Sequence, residues 1–210
     1  MTTRATTHRS ADTYDRDYFD KWYRNPRFRV KTPRELARQV TFVVSAAEHI
    51  LGRTIRTVLD VGCGEANWLA PLRRLRPHVQ YTGVDASEYA VARFGTSRNV
   101  RLGTIDALDQ VKLRKDYDLI LCVGMLNYLP PAPLRTGLAH LYERAHGLVY
   151  LELFTSADRG VFGDTRGTRL RSASWYRARI REARFVSCGL HCYVPDWLRE
   201  HTAVMERCGR

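Results

Sequence analysis

No apolar run in the chain approaches the roughly 20 residues that span a bilayer, and Met1 to Ser10 lack the hydrophobic core of a secretion signal. These absences predict a cytoplasmic protein with no membrane partner. There is no internal repeat and no low-complexity tract, which excludes a solenoid and an extended array. Cysteine is sparse and odd in number: the five, at 63, 122, 188, 192 and 208, do not make a disulfide framework and read as reduced thiols. Cys188 and Cys192 bracket Gly189-Leu190-His191. With no second pair to complete four ligands, no metal site is expected there. Lysine is scarcer still, with 4 Lys against 30 Arg in a total of 34.

What is present is an ordinary globular composition: 210 residues, 44% hydrophobic and 27% charged. That length forms one domain with an extension and buries a sizeable core. The net charge of +12 draws phosphates, nucleic acid or acidic small molecules. The basic residues do not gather into the dense block of a nucleic-acid patch, however, so a solvated arginine surface explains them equally well.

Along the chain, Tyr14 to Tyr23 reads as a short aromatic and charged helix outside the main fold, followed by an arginine-rich stretch, Arg24 to Lys31. Thr32-Pro33-Arg34-Glu35 is a helix start: Thr32 as N-cap, Pro33 at the first helical position and Glu35 closing a capping box. Apolar residues at 36, 40, 43, 44, 47, 50 and 51 continue at helical spacing up to Gly52. The pattern then becomes short apolar strands, expected at 57–61, 80–84, 100–103, 117–123 and 148–153. Helices fall between them at 67–75, 87–94 and 132–145, with one helical turn near 109–113. Strands apolar on both faces and alternating with helices predict a doubly wound, mostly parallel α/β sheet, with ligands at the C-terminal strand ends. The long polar segment Phe154 to Arg171 reads as a loop that is either functional or disordered, and a helix is expected at 172–183. Residues 185–194 form either a strand broken at Gly189 or a tight hairpin, and the tail from Trp197 is a helix or an edge strand.

The sharpest chemical signal is Asp60-Val61-Gly62-Cys63-Gly64-Glu65-Ala66, where a strand enters a turn with glycines two apart and then a helix. Without Cβ atoms, Gly62 and Gly64 let a ligand lie against the main chain, and the following helix points N–H groups toward it. Asp85 ends the next strand about twenty residues on, where a carboxylate can accept ribose hydroxyls. Asp106 follows the third strand, where it can accept an adenine amino group while Ala107 and Leu108 pack on the ring. Three acids along one rim make a nucleoside site. A dinucleotide fingerprint needs a third glycine where Asn67 stands. Asp60 beside the turn would also repel a pyrophosphate, yet it suits the ammonium and sulfonium of S-adenosylmethionine.

On these residues the sequence resembles the class I S-adenosylmethionine-dependent methyltransferases. The resemblance covers residues 34 to 153 well, with Asp60 to Gly64 similar to the family's first motif and 117–123 to its fourth strand. It implies a Rossmann-like seven-stranded sheet over residues 34–210, preceded by a helical lid or extension over 1–33. The cofactor contacts it implies are Asp60, Gly62, Cys63, Gly64, Asp85, Ala86, Asp106, Ala107 and Val123. Tyr14, Tyr18, Trp22 and Tyr23 lie on one helical face and form either a lid or a simple packing stripe; in the lid reading Tyr18 and Tyr23 touch the cofactor. Ala66 departs from the pattern, since many members carry glycine there, and only a slight shift of the loop is expected.

Methyl transfer needs alignment and dryness more than a base. Asn127, Tyr128, Glu152 and His191 are the weak candidates for contact with the acceptor, each with a structural role as its alternative. The expected reaction is metal-independent transfer to O or N of a small-molecule metabolite, conceivably in bacterial specialised metabolism. Val123-Gly124 stands where the metal-dependent members place an acid, and the Asp/Asn-Pro-Pro-aromatic quartet of adenine methylases is missing. The alternatives are an RNA or tRNA methyltransferase and a non-catalytic binding protein on the same scaffold. Acceptor and oligomeric state are not encoded legibly.

Overall fold

A computed structural model gives the architecture and describes residues 14–158 and 163–202. The expectations for the first residues, for the tail beyond Thr202 and for Cys208 lie outside the described residues. The N-terminal segment forms α1 (Arg16–Phe19), capped by Asp15, which accepts the Tyr18 N–H at 2.9 Å. It widens into a π-helical turn over Asp20–Arg24. Helix α2 (Pro33–Leu51) begins with the capping box read from the sequence. The Glu35 N–H donates to Thr32 Oγ1 (3.2 Å) and the Thr32 N–H donates back to Glu35 Oε2 (2.7 Å), so two otherwise orphaned donors are satisfied. Its apolar stripe buries Val40, Val43, Val44 and Ala47, and it stops at Gly52, which is left-handed at φ +62°.

The α/β body follows in the order β1 (Thr57–Val61), α3 (Leu69–Leu75), β2 (Gln80–Asp85), α4 (Glu88–Arg98), β3 (Val100–Leu102), β4 (Tyr117–Val123), α5 (Pro131–Arg144), β5 (Ala145–Glu152), α6 (Ala173–Glu182), β6 (Phe185–Gly189) and β7 (Cys192–Pro195). One seven-stranded sheet results, ordered β3-β2-β1-β4-β5-β7-β6. Strands β1 to β5 pair in parallel, and β7 runs antiparallel to β5 and β6. Within β4 the pleat sends Leu119 and Leu121 to the core shared with α2 and α3, and Ile120 and Cys122 to the core shared with α5 and α6. Burial on both faces explains why these strands carry unbroken apolar runs. The order reverses between β1 and β4, and that reversal opens a crevice beyond their C-terminal ends.

The structure departs from the sequence expectation at β5 and at the turn after β3, and it decides between the alternatives left for residues 185–194. Strand β5 starts at Ala145 rather than 148, because the chain passes from α5 directly into pairing between Tyr117 and Ala145; Ala-His-Gly has no strand propensity to announce it. The helical turn expected near 109–113 lies instead at Ile105–Ala107, a 3-10 turn in which the Ala107 N–H donates to Thr104 O (3.1 Å). Residues 185–195 form the tight hairpin rather than a broken strand, turned by Leu190 and His191, both left-handed at φ +49° and +65°. The N-terminal segment packs onto the main fold: Phe19 is buried, and the Ser87 hydroxyl donates to Tyr14 O at 2.6 Å.

Replacing Thr32 with Ala removes one half of the capping box and should lower stability by about 1 kcal/mol. The test is the urea midpoint, which falls at unchanged slope; an unmoved midpoint would mean that the cap contributes nothing.

Candidate functional site

Strand β1 delivers Asp60 to the crevice and then turns through a bend in which every second residue is left-handed. The φ angles are +74° at Gly62, +52° at Gly64 and +57° at Ala66. Glycine adopts this conformation without steric cost; for Ala66 the strain is on the order of 1 kcal/mol. The bend hangs on β2, because the N–H groups of Gly62 and Cys63 both donate to Val84 O (2.8 and 3.2 Å). Asp85 fixes it from the side: Oδ2 accepts the Gly64 N–H (2.6 Å) and Oδ1 the Ser87 N–H (2.8 Å). A carboxylate has about four acceptor positions, so capacity remains on the side facing the crevice. A Cβ added to Gly64 would lie 2.8 Å from Tyr23 Oη and 2.9 Å from Phe19 Cε1, so the N-terminal segment rests directly on the bend.

The crevice closes into a cavity of about 600 Å³, a size suited to a cofactor or drug-sized ligand. Asp60 and Asp85, at the C-terminal ends of β1 and β2, and Asp106, in the 3-10 turn after β3, line it together with Gly62, Cys63, Gly64, Ala86 and Val123. The N-terminal strap forms the roof, with Tyr14, Tyr18, Trp22, Tyr23, Val30 and Lys31 all lining the space. Ion pairs hold the strap at both ends: Arg24 to the buried Glu65, and Lys31 to Glu152 at 2.7 Å. The third wall is the loop after β5, where Asp164, Thr168, Arg169 and Leu170 face the cavity. That loop is tied to the outlet of β4, since the Tyr128 hydroxyl donates to Asp164 O and the Arg169 N–H to Asn127 O (2.7 Å).

Burial controls the charges. Asp60 is 2% exposed and accepts a hydrogen bond from the Tyr81 hydroxyl at 2.8 Å. Desolvation, opposed by that bond and aided by the nearby Asp85, pushes its carboxyl up to about 7. Asp85 is also raised by burial, with the N–H groups of Ser87, Gly64 and Ala86 pulling the other way. Desolvation raises the Tyr18 and Tyr23 hydroxyls and the Cys63 thiol as well, so none of them is a ready anion at neutral pH. Glu152 is pushed up by burial but pulled below its ordinary range by Lys31, Gln39 and Tyr150.

Two expected site residues lie elsewhere. His191 sits exposed in the β6–β7 turn, outside the cavity, because the hairpin turns there. Ala107 is likewise not on the cavity wall: the 3-10 turn leaves Gly103, Thr104, Ile105 and Asp106 facing the space and sends Leu108 into the core. Asn127, Tyr128 and Glu152 do line it. The Asn127 amide is fully engaged, however, donating to Phe154 O (2.6 Å) and to the Tyr176 hydroxyl (2.9 Å) while accepting the Phe154 N–H (2.9 Å). Glu152 is paired with Lys31. The sequence reading missed Phe19, Lys31, Trp68 and Phe154 as wall residues. The aromatic run around 14–23 held the only signal for one of them. Among the described residues no His, Cys, Asp or Glu cluster is placed to hold a metal ion.

A methyltransferase-domain family profile matches residues 59–146. A search of curated proteins finds no match. Among solved structures the chain is similar to CalS10 from Micromonospora echinaspora, an amino pentose methyltransferase involved in calicheamicin biosynthesis, solved with S-adenosylmethionine bound: 17% identity and TM-score 0.57, covering 80% of this chain and 92% of that one. It is also similar to a SAM-dependent methyltransferase from Archaeoglobus fulgidus (16%, TM-score 0.54, 73% and 69%). A third is the 1,6-didemethyltoxoflavin-N1-methyltransferase of Burkholderia thailandensis, solved with 1,6-didemethyltoxoflavin and S-adenosylhomocysteine (22%, TM-score 0.51, 71% and 67%).

A carboxyl that titrates near 7 when folded and near 3.9 when unfolded keeps its proton in the native state over that interval, so its contribution to stability falls as pH rises from about 4 to about 7. Asp60→Asn should therefore raise the melting temperature relative to the parent, with the gap opening over that interval and disappearing below it. A gap independent of pH would contradict the assignment.

Proposed function

We propose that the chain, whose residues 59–146 match a methyltransferase-domain family profile, is a class I S-adenosylmethionine-dependent methyltransferase, and that its cavity binds S-adenosylmethionine and transfers the methyl group to O or N of a small-molecule metabolite without a metal ion. The observation that carries this reading is the placement of Asp60, Asp85 and Asp106 beside a glycine bend, inside a cavity roofed by aromatic side chains. The residues fit the cofactor. Asp85 retains acceptor capacity for ribose hydroxyls, Asp106 stands beyond β3 for the adenine edge, and Asp60 offers a buried carboxylate to cationic groups. When bound, the cofactor supplies a methyl carbon already activated by positive sulfur.

The chain's own residues contribute placement and dryness. The bend brings main-chain atoms to the cavity wall, with the Gly64 N–H held by Asp85. The strap over residues 14–31 excludes water, and its tyrosine faces suit a sulfonium. We read residues 1–33 as the lid or extension and 34–210 as the catalytic domain. Asn127 holds the Phe154 main chain in place, so the β4 outlet and the β5 end keep their spacing. Asp60 is pushed up to about 7 by burial while Glu152 is held below its ordinary range by Lys31, which fits a reaction driven by alignment. A small-molecule acceptor agrees with the enclosed volume and with the amino pentose and toxoflavin methyltransferases that share the fold.

Calorimetric titration with S-adenosylmethionine tests the reading. The parent should bind one equivalent, and Asp85→Ala should weaken binding by roughly tenfold or more, as expected for loss of hydrogen bonds to a charged group. Failure of the parent to bind would refute the proposal. Arg24→Gln, which frees one end of the strap from Glu65, should speed dissociation of S-adenosylhomocysteine in stopped flow while leaving the fold intact by circular dichroism.

A further inference from the structure

The cavity mouth carries apolar side chains that no part of the described chain covers. Val30 and Leu170 line the cavity and are 44% and 37% exposed, and Phe28, two residues before Val30, is 40% exposed. They form one neighbourhood. Trp22 packs edgewise on Phe28 at 6.2 Å between ring centroids and its carbonyl accepts the Val30 N–H, while Val30 Cγ2 lies 3.1 Å from where a Cβ on Gly163 would stand, against the loop that carries Leu170. Cations surround this patch. Lys21 Nζ and the Arg27 guanidinium sit 5.3 and 5.6 Å from the Phe28 ring centre. Among the described residues no acid forms an ion pair with Lys21, Arg27 or Arg169, whereas Arg24 and Lys31 just beside them are paired.

We propose that this rim docks on an anionic lipid bilayer, with Phe28, Val30 and Leu170 entering the headgroup boundary and Lys21, Arg27 and Arg169 on the phosphates. The occupant must offer negative charge and an apolar phase together, which is what a bilayer surface presents to basic segments with interspersed apolar side chains. A second copy of the chain is disfavoured, since each copy carries +12. Single-stranded RNA fits less well, because Val30 and Leu170 have no flat face for a base and Phe28 already carries two cations. The earlier expectation of no membrane partner rested on the lack of a spanning segment, and no helix of the described residues is long and apolar enough to cross a membrane. Surface docking needs none. Two of the three apolar side chains also line the cavity, so docking would set its mouth against the bilayer, where a lipophilic acceptor partitions. That consequence rests on the methyltransferase reading; the docking itself does not.

The experiment is flotation of the full chain with vesicles of phosphatidylcholine alone and with about 30% phosphatidylglycerol. The parent should bind the anionic vesicles only, and binding should weaken as salt is raised. Lys21→Gln/Arg27→Gln should weaken it about tenfold or more, and Phe28→Ser should weaken it without changing the salt dependence. The control pair Arg177→Gln/Arg181→Gln removes equal charge from α6 and should retain binding. Calorimetry with S-adenosylhomocysteine on the same variants, none of whose substituted residues lines the cavity, reports folding and the cofactor site separately. The proposal is overturned by equal binding to neutral vesicles, by equal loss in the α6 control, or by a fluorescent (rU)15 oligonucleotide binding through Lys21 and Arg27 while vesicles do not.

Discussion

The structure depends on a left-handed bend placed where a parallel sheet reverses its strand order. Gly62, Gly64 and Ala66 take φ values that L side chains rarely adopt, and the bend is held by main-chain bonds to β2 and by the Asp85 carboxylate. Because β1 and β2 are fixed in parallel register, with Asp60 opposite Gly83 and Val61 opposite Val84, the bend cannot drift from the acids beside it. The positioning of Asp60, Asp85 and Asp106 is therefore a property of the sheet, and the loops inherit it.

Closing the cavity brings a different constraint. A buried carboxyl is costly in its charged form, and Asp60 holds its place with one tyrosine hydroxyl rather than a cation. Such a group favours folding least and cationic ligands most, which is the usual compromise at a functional site. The two walls that complete the cavity are attached by ion pairs and main-chain hydrogen bonds: Arg24 and Lys31 on the strap, and Tyr128 and Arg169 joining the β5 loop to the β4 outlet. Exposed ion pairs contribute little, but Glu65 and Glu152 are largely buried acids, and removing either cation leaves a charge without its partner.

Much of this was legible in the sequence. Alternating apolar strands and helices and the Thr32 to Glu35 box are local signals with local causes, and each stands where its pattern predicts; the Gly62, Gly64, Asp85 and Asp106 spacing marks residues that all line the cavity. The misplaced features are those fixed by tertiary context. Ala145 to Gly147 become strand only because β4 offers a pairing edge, and His191 leaves the site because Leu190 and His191 accept the positive φ of a two-residue turn. The strap over the bend, the Lys31–Glu152 pair and the folding of residues 163–170 over the cavity join positions far apart in the chain, and no spacing rule reports such contacts.

The most direct test of the central claim is a crystal structure of the chain with S-adenosylhomocysteine. The account requires the ribose against Asp85, the adenine edge at Asp106, the homocysteine chain along the Gly62–Gly64 bend and the sulfur facing the space between Glu152, Phe154 and the strap. A ligand bound outside this cavity, or a bend rearranged so that Asp60 and Asp85 no longer face it, would contradict the account.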